Sequence, residues 1–337
     1  MKMYLEGITA IVMQNFRTEV EVKKSKKQLS IHDPVITMGS CFADTIGDQL
    51  LNSKFQVLKN PFGTVYNPIS LHKLLHLSNT NTLPGPNSFI ENNGIFLNYD
   101  FHSSLSALTQ HALEDMLKER IAQAHNFLRS AKWLMITYGT AWIYIRKDSG
   151  ETVSNCHKLP SHRFEKKLIT QKRILDSFEE TYEQLKSVNT NLQIILTVSP
   201  VRHVKDTLEL NSVSKSTLRI ACNTLTEQHA DVHYFPSYEI MLDDLRDYRF
   251  YKSDMIHPSS DAEAYIWEKF TRAYFDTETL AFLEKWEKIQ SGLQHKPFHV
   301  TSTAHQAFLK ELMSQLNEVS STVSVDEELA WVKNQLV

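Results

Sequence analysis

The chain has 337 residues, 42% of them hydrophobic, a net charge of −3 and a pI near 6.6. That apolar content suffices for a buried core in one large domain or two smaller ones, and the charge gives no electrostatic basis for binding nucleic acid. Three widely spaced cysteines, Cys41, Cys156 and Cys222, argue against a disulfide framework; without a C-x-x-C pair they suggest no structural zinc either, and no metal or cofactor is expected.

Residues 1–12 read as an upstream extension, since Met13 offers a second start. With Glu6 inside this mildly apolar beginning and no clear cleavage site, it does not resemble a secretion signal. No run of about 18 apolar residues occurs, so no membrane span is expected; the cytoplasm is the expected address. Lys23, Lys24, Lys26 and Lys27 read as a solvated surface. The first short apolar run, residues 34–38, predicts a strand that ends in Gly39. An amphipathic stretch follows at 42–53, where Phe42, Ile46 and Leu50 recur every four residues on one helical face. Strands at 55–58, 133–138, 192–198 and 232–235 then alternate with helical stretches at 69–77, 105–131, 171–187 and 212–230, which predicts a parallel sheet covered on both faces. Two segments interrupt the alternation. Residues 89–101 read as a hairpin turning at Asn92-Asn93-Gly94. Residues 141–165 start as a strand, turn at Ser149-Gly150 and continue irregularly. Both are expected as insertions (about 87–101 and 141–165) over the active edge of the sheet. After a helix at 261–275 only helical pattern remains, so residues 13–276 are assigned to the α/β domain and 277–337 to a helical extension.

The chemistry begins at Gly39-Ser40. A hydroxyl held between a strand and a helix lies beside helix N-terminal amides, which can stabilise an oxyanion; the same Ser40 equally fits an ordinary N-cap. Near the other end, Asp254-Met255-Ile256-His257-Pro258 precedes a strong helix. An Asp three residues before a His can fix its tautomer and stabilise the imidazolium while the His takes a serine proton. The pair also fits a loop aspartate beside a surface histidine. Cys41 is a competing nucleophile, because a helix N-terminus can depress a thiol pKa. His72 and His76 are four apart on a helix, but Lys73 stands where H-E-x-x-H needs its glutamate. Trp142 and Tyr144 alternate on a strand and fit a core position better than a sugar platform.

Together, Gly39-Ser40-Cys41-Phe42-Ala43, Asn60 to Pro68, Tyr138 to Trp142, Asn155 to Pro160, Ser199 to His203 and Asp254 to Trp267 make the chain resemble the GSCFA family, a branch of the SGNH (GDSL-like) hydrolase superfamily. The resemblance runs from about residue 15 to 275. It implies an α/β fold, a flavodoxin-like three-layer α/β/α sandwich with a central parallel sheet, here followed by the helical C-terminal extension. It implies a Ser40–His257–Asp254 triad and an oxyanion hole containing the Ser40 amide and Gly63. Its third block reads Gly139-Thr140-Ala141-Trp142, with Ala141 where the superfamily carries an asparagine donor. Losing such a donor typically costs about 2.7–4 kcal/mol of transition-state stabilisation, so a substitute is expected. Asn67, Thr140 and Asn155 are the candidates, Asn67 first because it shares a loop with Gly63, although an Asn before Pro68 also fits a plain turn.

Arg202 and His203 follow a strand, where loops line the ligand crevice of a parallel sheet. Arg202 either binds an acidic or carbonyl group of a substrate or pairs with a loop carboxylate; His157 and Lys158 are open in the same way. The function expected is that of a serine-dependent esterase or acyl hydrolase acting on an ester, with an O-acylated carbohydrate as one substrate class. An O-acyltransferase on the same triad and a non-catalytic binding protein on an esterase scaffold are the alternatives. The expected partner is a small-molecule or glycan ester, with neither nucleic acid nor membrane, and a homo-oligomer stays open.

Overall fold

All five positions of β1 (Val35–Gly39) are buried, as befits a strand covered on both faces. The computed structural model describes residues 18–337; the extension at 1–12 and the second start at Met13 lie outside them. Helix α1 (Cys41–Asn52) follows at once and buries Phe42, Ala43, Ile46 and Leu50. Strand β2 (Val57–Lys59) leads to α2 (Pro68–Thr80), with Pro68 at the first helical position, where its missing N–H costs nothing. Strands β3 (Phe89–Asn92) and β4 (Ile95–Asn98) form the expected hairpin; Asn93 and Gly94 have φ of 55° and 76°, as a two-residue turn matching strand twist requires. Helix α3 (Gln110–Ser130) starts later than the pattern from residue 105 suggests, because Thr109 caps it by accepting from the Ala112 amide. Ala107 instead bridges to Phe96.

The remaining strands are β5 (Trp133–Tyr138), β6 (Trp142–Arg146), β7 (Thr152–Val153), β8 (Phe164–Leu168), β9 (Gln193–Val198) and β10 (Val232–Tyr234). The remaining long helices are α4 (Gln171–Val188), α5 (Leu208–Gln228), α6 (Ser260–Tyr274), α7 (Thr277–Leu293), α8 (Thr303–Val319) and α9 (Asp326–Lys333). The central sheet has the order β10-β9-β5-β1-β2, with every pair parallel. Alternate residues divide between its faces. Ile36, Met38, Leu134, Ile136, Ile194 and Leu196 meet the apolar sides of α2 to α5, while Val35, Trp133, Met135 and Ile195 meet those of α1 and α6. This is a three-layer α/β/α sandwich with flavodoxin-like strand order. The order reverses between β1 and β5, and in such sheets the crevice beyond the strands' carboxyl ends at that point receives ligands.

Both interruptions sit at that edge. The hairpin lies in one, and β7-β6-β8 form a small antiparallel sheet that starts directly after β5. The amides of Ser154 and Asn155 donate to Tyr99 O, and Tyr99, Val153 and Phe164 form a core shared by the two. The C-terminal helices extend the α1–α6 core: Phe282, Trp286, Ile289, Leu309, Leu312 and Leu316 join Phe42, Ile46, Leu50 and Phe55. Trp286 Nε1 donates to Asn52 O (2.7 Å) and Lys54 pairs with Glu328 (2.6 Å). Among the described residues no helix is long and apolar enough to cross a membrane.

Candidate active site

Ser40 stands at the carboxyl end of β1 as the residue before α1. Its backbone is extended (φ −68°, ψ 173°), and its side chain makes no capping bond. The residue is 1% exposed, and its Oγ has no hydrogen-bond partner among the described residues. A buried serine that does not cap its helix is not explained by helix stability alone. Gly39 is required by the turn: its φ is +140°, and a Cβ there would meet Thr137 O at 2.2 Å. Asn60 secures the other side, its Oδ1 accepting from the Gly39 amide (2.9 Å). Gly139, the first residue after β5, lies against the serine; a Cβ there would stand 3.3 Å from Ser40 Cβ and 3.2 Å from Tyr66 Cδ1.

Asp254 and His257 form a closed pair. His257 Nδ1 donates to Asp254 Oδ2 (2.7 Å), and Asp254 Oδ1 accepts from the amides of Ile256 (2.9 Å) and His257 (3.0 Å). The bond to His257 and the two amides hold the Asp254 carboxyl at a pKa of about 2. With Nδ1 protonated, the imidazole carries its lone pair on Nε2. The loop is held at the sheet edge by Arg202: its amide donates to Ile256 O (3.2 Å), its Nη1 donates to Met255 O (2.9 Å), and its guanidinium rests 5.2 Å from the Tyr251 ring centre. Met255 has φ +57°, an uncommon backbone for a side chain of its size. No hydrogen bond joins His257 to Ser40. Arg202 itself lines a cavity of about 250 Å³ with Met241, Leu242, Leu245, Arg246, Asp247, Tyr248 and Tyr251.

Between the two lie Tyr66 and His203, their rings edge to face at 5.7 Å. The His203 amide donates to Asn211 Oδ1 (2.9 Å). Burial, helped by the positive charge of Lys215 and opposed by Asp206, pulls the His203 pKa down to about 4; His257 lies near enough to add to the same effect. His203 is therefore neutral near pH 7.

Several expected roles are corrected by where the backbone bonds go. The Ser40 amide donates to Thr137 O (3.1 Å) and the Gly63 amide to Asn60 O (2.8 Å), so neither faces an oxyanion. Asn67 is the α2 cap, with Oδ1 accepting from the Ser70 amide (2.9 Å) and Nδ2 donating to Ser70 Oγ (3.0 Å); its turn role uses the whole amide group. The amides of Gly139 and Thr140 both donate to Tyr66 O (2.7 and 3.0 Å), and Thr140 Oγ1 bonds Ser214 Oγ (3.1 Å). Asn155 spans the insertion, from the His157 amide (2.8 Å) to Ser103 Oγ (3.1 Å). Arg202 grips loop carbonyls rather than a carboxylate. His157 staples the insertion to the hairpin, with Nε2 on Asn98 O (2.8 Å).

Cys41 is not activated: burial and the Asp44 carboxylate raise its thiol pKa, outweighing the amides of Cys41 and Phe42 and the charge of Lys215. His72 is spent on Ser177 Oγ (2.8 Å) and Tyr138 OH (2.7 Å). Trp142 and Tyr144 lie on the outer face of β6 rather than in the core, with Lys166 Nζ 4.9 Å and 5.8 Å from their ring centres.

Sequence reasoning placed a helix at 212–230 but passed over the polar residues of α5. Asn211, Ser214 and Lys215 sit on its buried side, in line with Leu218 and Leu225. Ser214 Oγ accepts from the Ala141 amide (2.8 Å), and Lys215 Nζ donates to Gly139 O (2.8 Å) and Ser199 O (2.7 Å). The signal was there: the spacing i, i+3, i+4, i+7 puts three polar residues on the apolar stripe. Thr64 was also missed. Its hydroxyl donates to Asp44 Oδ2 (3.3 Å), its neighbour Val65 donates to Gly39 O (2.9 Å), and its amide has no partner among the described residues.

The model of the GSCFA family matches residues 34–270, and that of the C-terminal domain of GSCFA domain proteins matches residues 286–337. No curated protein matches the chain.

Proposed function

The chain belongs to the GSCFA family, and we propose that it is a serine-dependent esterase or acyl hydrolase. The observation that carries this reading is the Asp254–His257 pair, bonded at 2.7 Å with its carboxylate pinned by two loop amides. It stands at the same sheet edge as a serine whose hydroxyl serves neither cap nor partner. Ser40 Oγ attacks the ester carbonyl as His257 Nε2 takes its proton, and Asp254 stabilises the imidazolium. His257 then returns the proton to the leaving alcohol. Water regenerates Ser40 through the same base; a second hydroxyl in place of water makes the enzyme an acyltransferase.

The oxyanion needs donors other than the Ser40 and Gly63 amides. The Thr64 amide, without a partner among the described residues, takes that role, with the positive end of α1 behind it. Apo hydrogen bonds in active sites are often long and tighten only with substrate, so the open Ser40–His257 gap is compatible with catalysis. The cavity at Arg202 has room for a small acyl or sugar substituent. An O-acylated carbohydrate is proposed by analogy alone.

A binding protein on the same scaffold is the competing reading, favoured by the burial of Ser40. Fluorophosphonate labelling and aryl acetate hydrolysis separate the two. Wild type reacts; Ser40→Ala loses labelling, and both Ser40→Ala and His257→Ala lose turnover by about 10⁴-fold or more. Equal labelling of wild type and Ser40→Ala would sink the esterase reading.

A further inference from the structure

Lys215 is a lysine of α5 that is 1% exposed. Charged side chains are almost never buried to this degree unless paired, yet no carboxylate pairs with this one among the described residues. Its two bonds go to Gly139 O and Ser199 O (2.8 and 2.7 Å), carbonyls at the carboxyl ends of β5 and β9. Gly139 is the residue that lies against Ser40 Cβ. The groups around the ammonium are Cys41 of α1, His203 of the loop after β9, and Tyr238, whose ring centre is 5.8 Å away. None of them is an anion near pH 7.

Two N–H groups satisfy the two carbonyls, and a neutral amine already has two. The ammonium adds a third N–H and a full charge that holding the strand ends together does not require. Keeping a charge in such a place is costly, and costly buried charges cluster at functional sites. We propose that Lys215 is a positioning residue for the Ser40 reaction, its ammonium fixing Gly139 beneath the serine and supplying positive charge beside the developing oxyanion. The inference rests on the esterase reading above.

Burial pulls the Lys215 pKa down to about 7, with Cys41 opposing. Neutral His203 and the raised Cys41 thiol do not change charge in the same range. The Ser40-dependent rate therefore falls as Lys215 loses its proton above neutral pH.

The test compares wild type, Lys215→Met and Lys215→Ala in aryl acetate hydrolysis and fluorophosphonate labelling. Lys215→Met lowers kcat about 100-fold, as loss of one preorganised donor does, changes KM by less than about threefold, and abolishes the alkaline fall in rate. Propylamine, the fragment that Lys215→Ala removes, restores this variant about tenfold or more, whereas 1-propanol, which fills the same space without charge, does not. Equal rescue by the two, or an alkaline fall that persists in Lys215→Met, makes Lys215 a structural residue and overturns the proposal. Should neither variant fold, the labelling rate of wild type against pH decides: a rate flat through about pH 7 overturns it as well. A wild type that the probe does not label at Ser40 removes the esterase reading and this inference together; labelling indifferent to Lys215 removes only the inference.

Discussion

The serine crest and the histidine loop stand at the same edge of one sheet and are built on opposite principles. Around Ser40 the backbone is consumed: Gly39, Ser40, Gly63, Gly139 and Thr140 all give their amides to neighbouring strands, turns or the Asn60 side chain. The crest is buried and rests on an αβ core, so its geometry is dictated by sheet register. The Asp254–His257 loop is exposed, with side chains 44% and 41% accessible, and is held by Asp254, by Arg202 and by the bond from the Lys252 amide to His257 O (2.7 Å). Ser40 is thus fixed by the scaffold, whereas His257 hangs on a few bonds that can adjust. Sites built on rigid elements are precise, and short loops are where motion concentrates; the unmade Ser40–His257 bond falls at the junction of the two.

The comparison breaks if damage to the crest appears mainly in rate, or damage to the loop mainly in stability. Gly39→Ala places a Cβ 2.2 Å from Thr137 O in a backbone at φ +140°. It should cost about 3 kcal/mol of unfolding free energy, read as a lower urea midpoint with unchanged slope. A loss under about 1 kcal/mol would mean that the crest yields. Arg202→Met removes the grip on Met255 O and leaves the core untouched. Turnover should fall about tenfold, with stability within about 0.5 kcal/mol of wild type; a large shift in the urea midpoint would show that the loop is part of the cooperative core.

The smallest effect is on pH dependence. His203 titrates near 4 when folded, against an ordinary 6.5. The unfolded chain therefore binds the extra proton first as pH falls, and stability is lost between about 6.5 and about 4. His203→Gln should flatten that part of the stability profile, and an unaltered slope would show that the ring is solvated.

Much of this was legible in local pattern. The run from Val35 to Gly39, the four-residue spacing of Phe42, Ile46 and Leu50, and the alternation of strands with helices depend on neighbours a few positions apart. So does Asp254-x-x-His257, whose pair closes within its own loop. What stayed hidden depends on partners far along the chain. The Ser40 amide is taken by Thr137 because β1 pairs with β5 in one register, and no local pattern reports which carbonyl will be opposite. Thr140 and Asn155 offered donors by type, and Ser214 and Ser103, far along the chain, occupy them; Asn67 is spent nearby on Ser70, as its place before Pro68 allowed.

Lys215 shows the limit best. In sequence its spacing from Leu218 puts it on the apolar stripe of α5 but does not say what it meets there. It is buried with both carbonyls satisfied because the fold brings Gly139 O and Ser199 O to one point on α5. The sequence by itself determined the order of the elements, the glycine–serine turn and the histidine–aspartate loop, since hydrophobic period and turn chemistry act over short range. Tertiary structure alone decided which amides remain free beside Ser40 and which charges are buried there, because desolvation and hydrogen-bond pairing are set by the whole packed surroundings.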